Sequence, residues 1–198
     1  MRTNKKLEIT AWVAACTVLT GALAYYNFID KPIVSGVEVG EYCPDFTLPT
    51  YQIVDGEFTT GGKFFILSEQ TDKVVVINFW ATYCAPCKAE LPEFNQIQEK
   101  YSESVVVITL DGETSLTDEQ LLTWLNTNED SKEWSSFSVL FAKYNGQKDS
   151  ASNVYNTLGF VSGALPATIV VDREGKIAFK KEGSMHYADL EEVIAPLL

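Results

Sequence analysis

Two cysteines separated by two residues, in Cys84-Ala85-Pro86-Cys87, have the plainest chemical use in this chain. A thiol pair at this spacing can open and close a disulfide, provided one sulfur is held as a thiolate. The residues around the pair supply a holder. Val74-Val75-Val76-Ile77-Asn78-Phe79-Trp80 is a β-branched, almost wholly apolar run, the mark of a strand buried on both faces. A helical pattern follows from Pro86 to about Tyr101. A cysteine at that strand-to-helix junction faces the unpaired N–H groups and the positive dipole end of the helix. Such placement lowers a thiol pKa from about 8.5 to between roughly 3.5 and 7.5. Cys84 is then the nucleophile. Cys87, nearly one turn on, is the resolving thiol, and Pro86 is tolerated because the first turn needs no N–H donor there.

Other uses of the pair fit less well. A zinc site needs about four ligands, but there is no second Cys-x-x-Cys and the sole histidine is His186. A structural crosslink at this spacing closes too short a loop to stabilise much. No metal is expected, and no cofactor beyond the redox-active Cys84–Cys87 disulfide itself. Cys43 reads as a small packed side chain rather than a third redox player. His186 reads as a surface or helix-start residue, and Trp124 and Trp134 as core or partly exposed aromatics.

The elements that must position the pair follow from periodicity. After a polar linker over 30–42, Phe46 to Phe58 contains Pro49 and the turn Asp55-Gly56, which predicts an extended hairpin. Val105–Leu110 is a second buried strand. Thr117-Asp118-Glu119-Gln120 has the form of a capping box and opens a helix through Leu121, Leu122, Trp124 and Leu125. A strand over Phe137–Phe141, a helix over 150–158, a hairpin of Ala167–Asp172 with Ile177–Glu182, and a helix from Tyr187 to Leu197 complete the pattern. This order predicts an α/β fold, a mixed sheet flanked by helices.

The N-terminus reads differently. Ile9 to Ile29 is a 21-residue stretch without a charged residue, preceded by Arg2, Lys5 and Lys6. At about 1.5 Å per residue it just spans a hydrocarbon core of roughly 30 Å. The basic flank places the N-terminus in the cytoplasm and the rest of the chain on the far side. Length and flanks favour an uncleaved anchor. Cleavage after Ala22-Leu23-Ala24 and lipid modification at Cys16, in Val13-Ala14-Ala15-Cys16, remain open and deliver the same compartment. The expected division is 1–31, a basic stub with the membrane segment, and 32–198, one redox domain. With a net charge of −12 overall and only two arginines, Arg2 and Arg173, nucleic-acid binding is excluded as a function class.

The stretch Asn78-Phe79-Trp80-Ala81-Thr82-Tyr83-Cys84-Ala85-Pro86-Cys87-Lys88-Ala89-Glu90-Leu91-Pro92 resembles the active-site segment of the thioredoxin superfamily. Within it, the match is to the TlpA/ResA branch of membrane-anchored extracytoplasmic reductases. Trp80 and Tyr83 match that family's aromatics beside the active site, and Pro92 its helix-kinking proline. Gly163-Ala164-Leu165-Pro166-Ala167-Thr168 resembles the cis-proline loop that faces the cysteines, and Pro44-Asp45-Phe46 the entry of an N-terminal hairpin extension. The resemblance covers about residues 38–198. It implies a thioredoxin-like fold behind a transmembrane helix, with substrate contacts at Trp80, Tyr83, Pro86, Leu165 and Pro166. It also implies a monomer in the bacterial cytoplasmic membrane, its redox domain extracytoplasmic. The domain would take electrons from a membrane thiol-transfer donor and reduce disulfide-bearing proteins, with apocytochromes c as one candidate. Two departures stand out. Asn78 replaces the buried aspartate of thioredoxins proper, and Glu90 matches the glutamate that the ResA branch keeps near its cysteines. At i+3 from Cys87, Glu90 can approach it, and partial burial would raise its pKa and let it move protons. A peroxiredoxin-like peroxidase would need a Pro-x-x-x-Thr/Ser-x-x-Cys loop and an arginine. Here those places hold Ile77 and Ala81, and Arg173 is the single arginine after the N-terminus. A copper chaperone of the Sco kind would have Cys-x-x-x-Cys and a distant histidine.

Overall fold

Apolar alternation sorts this chain onto the two faces of one sheet. The computed structural model describes residues 35–113, 115–143, 154–160 and 162–198, and Ser35–Leu198 form one unit. The expected membrane segment and the boundary at residues 31/32 lie outside the described residues. Among the described residues no helix is long and apolar enough to cross a membrane.

The chain enters through four short strands: β1 (Thr47–Pro49), β2 (Gln52–Val54), β3 (Glu57–Thr59) and β4 (Phe64–Ile66). The predicted hairpin is β2–β3. Asp55 and Gly56, at φ 54° and 85°, give the two positive φ values that a tight two-residue turn demands. β1 is not part of that hairpin. It pairs antiparallel with β4, which sequence reasoning does not foresee.

Next come β5 (Val74–Trp80), α1 (Ala85–Lys100), β6 (Val105–Asp111) and α2 (Asp118–Thr127). All seven side chains of β5 are buried, as the apolar run predicts. The capping box closes as expected: Gln120 N–H donates to Thr117 Oγ1 at 3.2 Å, and Thr117 N–H to Gln120 Oε1 at 2.9 Å. Then follow β7 (Leu140–Lys143), α3 (Val154–Thr157), β8 (Ala167–Val171), β9 (Ile177–Glu182) and α4 (Tyr187–Ile194). β7 starts three residues later than predicted because the preceding donors are spent elsewhere. Phe137 N–H closes a 3-10 turn on Trp134, and Ser138 N–H goes to Asn95 Oδ1 at 2.7 Å. Residues 150–153 of the predicted fourth-quarter helix lie outside the described residues. α4 stops at Ile194 rather than Leu197, where Pro196 turns the chain into a 3-10 segment.

The main sheet runs β7-β6-β5-β8-β9, with β5, β6 and β7 parallel and β8 and β9 antiparallel to their neighbours. Val74, Val76 and Trp80 face a core shared with α1, α2 and α4. Val75, Ile77 and Phe79 face a second core built from Cys43, Phe46, Phe65, Tyr155 and Leu158. The described part of the predicted linker is docked: Gly40 N–H donates to Ile177 O at 2.8 Å and Ile177 N–H to Glu41 O at 2.9 Å. Its backbone extends the ladder beside β9, so it is not free chain.

Candidate active site

β5 ends in the core and the chain turns sharply into α1, which puts Cys84 at the N-cap of that helix. Cys84 and Cys87 are disulfide-bonded, with Cα atoms 5.3 Å apart. The backbone N–H of Cys87 is directed at Cys84 Sγ across 3.3 Å. That is how a helix N-terminus stabilises negative charge on a capping group, and no acidic residue in the first turn opposes it. Cys84 retains a sliver of exposure, 7%, whereas Cys87 has none. Of the two, Cys84 is the residue that reaches the surface.

The remaining predicted residues fall into distinct places. Trp80 is buried in the core cluster that also holds the pair, in edge contact with Trp134 at 5.3 Å and tilted against Trp124 at 5.9 Å. Tyr83, immediately before the nucleophile, is 72% exposed, and Pro86 is exposed in the first turn of α1. The Leu165–Pro166 bond is cis, and Leu165 packs against the core cluster that contains both cysteines. Pro92 sits inside α1.

Glu90 is buried, and both its oxygens are engaged. Oε1 accepts from Asn78 Nδ2 at 2.8 Å, and Oε2 accepts from the backbone N–H of Met185 at 2.9 Å. Burial pushes its pKa up to about 7, against the opposing pull of those two donors. In the sequence Asn78 stands out only as a departure from the thioredoxin pattern. Its place on the Val76/Trp80 face of β5 was the available signal that it meets α1. The Met185 donor, 95 positions from Glu90, left no sequence signal.

A second buried charge also escaped the sequence. Asp111, at the end of β6 beside Trp80, is fully buried and bonded to Lys143 Nζ at 2.9 Å. Burial pushes this carboxyl up to about 6, with Lys143 pulling the other way. Lys143 also donates to Glu113 O, and Thr82 Oγ1 donates to Glu113 Oε2. The loop carrying Cys84 is thus tied to the segment that follows β6. Among the described residues no three metal-ligating side chains come together.

A parallel β5–β6–β7 core, an antiparallel β8–β9 edge, a cis-proline before β8 and a disulfide at a helix N-terminus define a thioredoxin-like protein. The chain belongs to the AhpC/TSA family, whose model matches residues 39–180. It is 27% identical over 194 residues to the thiol-disulfide oxidoreductase ResA of Geobacillus kaustophilus, covering 96% of this chain and 95% of that one. It is 25% identical over 187 residues to the thioredoxin-like protein YneN of Bacillus subtilis, covering 91% and 95%. A structure from Chlorobium tepidum assigned as the thiol:disulfide interchange protein DsbE superposes with a TM-score of 0.61. It is 24% identical, covering 82% of this chain and 99% of that one.

Proposed function

We propose that the chain is a thiol–disulfide oxidoreductase that reduces disulfides of extracytoplasmic proteins. The observation that carries this reading is the Cys84–Cys87 disulfide at the start of α1, with the more exposed cysteine at the N-cap. In the reduced enzyme the Cys84 thiolate attacks a substrate disulfide, forming a mixed disulfide and expelling one substrate thiol. Cys87, deprotonated, then attacks Cys84 Sγ, releasing the second thiol and leaving the enzyme disulfide. Two electrons pass from enzyme to substrate in each round. Glu90 is the proton-holding group for the resolving step, and Tyr83, Pro86 and Leu165 form the docking rim, with Pro166 and Trp80 buried behind it.

The same reading divides the chain into a membrane-anchoring segment at 1–31 and a redox domain at 32–198. The uncharged Ile9–Ile29 stretch behind Arg2, Lys5 and Lys6 supports that division and a cytoplasmic-membrane location. A membrane thiol-transfer protein would supply the electrons, and apocytochromes c are one substrate class. A peroxidase reading is less favoured, because Ile77 and Ala81 put buried apolar side chains where the polar loop would sit, and Arg173 is exposed in the β8–β9 turn.

The test is the reduction potential of the pair in the full chain, poised in thiol–disulfide redox buffers. A value near about −250 mV or below fits a reductase, whereas one near roughly −120 mV would reverse the assigned direction.

A further inference from the structure

Among the described residues, two buried side-chain polar atoms have no hydrogen-bond partner: Trp80 Nε1 and Asn78 Oδ1. The second belongs to a residue whose other amide atom is fully used. Asn78 Nδ2 lies 2.8 Å from Glu90 Oε1 and 3.4 Å from Thr168 Oγ1, and all three side chains are buried. A buried amide with one end idle and the other doubly engaged invites the question of when the idle end is used.

The answer follows from the donors around Glu90. An ionised carboxylate only accepts, and here both oxygens have a donor, Asn78 Nδ2 and Met185 N–H. Protonation turns one oxygen into an O–H donor, which would then point at another donor. Met185 N–H belongs to the backbone and cannot be exchanged for an acceptor. The Asn78 amide can be, by a half-turn about its last side-chain bond, which is two-fold and preserves its shape. The turn brings Oδ1 to face Glu90, where it accepts from the new O–H. Thr168 adapts as well, because a hydroxyl that now accepts from Nδ2 can instead donate to Oδ1.

We propose that Asn78 is a positioning residue that turns its amide with the protonation state of Glu90, so that the buried acid is hydrogen-bonded both with and without its proton. The inference rests on the reading of Glu90 as the group that takes and returns a proton during resolution. An aspartate at 78 could not serve this way. Two carboxylates at hydrogen-bonding distance share one proton and titrate as a pair. The charged neighbours of Glu90 are Glu93 on its own helix and His186 in the turn before α4, with Cys87 three residues earlier on the same helix. From the sheet, β5 and β8 present the neutral Asn78 and Thr168.

Nuclear magnetic resonance on the full chain tests this, with the Asn78 side-chain amide and the Glu90 carboxyl labelled and both redox forms titrated. The expected result is that contacts between the Asn78 NH2 protons and Thr168 are present at high pH and vanish at low pH. Their midpoint should coincide with that of the Glu90 carboxyl. In Glu90→Gln, whose side-chain amide must donate toward position 78, the Asn78 contacts should stay in the low-pH pattern at every pH. Asn78→Asp should move the midpoint of the resolving step upward by at least about one pH unit, a tenfold loss at a fixed pH below it. Asn78 contacts that hold still while Glu90 titrates would overturn the inference and leave the role of Glu90 standing. A Glu90 carboxyl that keeps one protonation state throughout would overturn both.

Discussion

The backbone N–H of Cys87 is aimed at Cys84 Sγ across 3.3 Å, so in the proposed reaction the resolving residue stabilises the nucleophile before it ever attacks it. The two cysteines are unequally exposed, 7% against none, and under the proposed function this inequality sets the order of the two chemical steps. Cys84→Ser should abolish disulfide reduction. Cys87→Ser keeps the backbone donor and the nucleophile but removes the resolving thiol. It should therefore accumulate a mixed disulfide through Cys84, read by mass spectrometry as the protein plus one substrate chain. Failure to trap any adduct with Cys87→Ser would mean that Cys84 is not the attacking sulfur.

Glu90 makes stability fall as pH rises. Its carboxyl is raised from 4.5 to about 7 in the fold, chiefly by burial, so the native state holds the proton more tightly than the unfolded chain does. The favourable contribution is complete below the unfolded value and is lost progressively between about pH 4.5 and 7. At pH 8 the buried charge costs on the order of 3 kcal/mol. Glu90→Gln should flatten that slope in urea melts and gain about 1–3 kcal/mol at pH 8. Asp111, raised to about 6 by burial, leaves part of the slope in place. A variant as pH-sensitive as the parent would show that Glu90 is not the group responsible.

The Asp111–Lys143 pair carries a different expectation, because one partner is fully buried and the other nearly so. Lys143→Met leaves Asp111 without its counter-charge and should cost about 3–5 kcal/mol at pH 8. The loss should shrink at pH 5, where the orphaned carboxyl takes up a proton instead. Adding Asp111→Asn should recover most of it at either pH. Equal losses at pH 5 and pH 8 would locate the effect in packing rather than charge.

These pairs also mark where sequence reasoning stops. The frame was legible: Val74–Trp80 and Val105–Asp111 are too apolar for anything but buried strands, and Thr117 with Gln120 announces its own helix start. The cysteine pair was legible because its spacing is local and its junction is set by the elements on either side. β4 was missed because Phe64–Ile66 is three residues long after Gly61-Gly62 and gains its strand character only from pairing with β1. The partners of Glu90 are hidden from the sequence for a related reason. Spacing on α1 allows it to approach Cys87, but the donors that capture it come from β5 and from the turn before α4, 12 and 95 positions away. Lys143 likewise meets Asp111 from 32 positions away. Local patterns specify elements; contacts made when elements pack do not show in them.

Trp80 and Tyr83 flank the active-site turn, and the structure separates them by burial, 1% against 72% exposed. Trp80 fills the core between Trp124, Trp134 and Phe141, so Trp80→Ala should cost about 3–5 kcal/mol of stability. Tyr83, next to Cys84 in the chain, is left exposed to water, and under the proposed function it gains contact when a substrate docks. Tyr83→Ala should leave the melting midpoint within about 0.5 kcal/mol of the parent. Its cost should fall on binding, about 1–2 kcal/mol, or a five- to thirty-fold rise in KM for a protein disulfide. A small disulfide that cannot reach the ring should be reduced at the parental rate. If the variant instead slows small and protein disulfides alike, Tyr83 acts on the Cys84 thiolate and not on the docked chain.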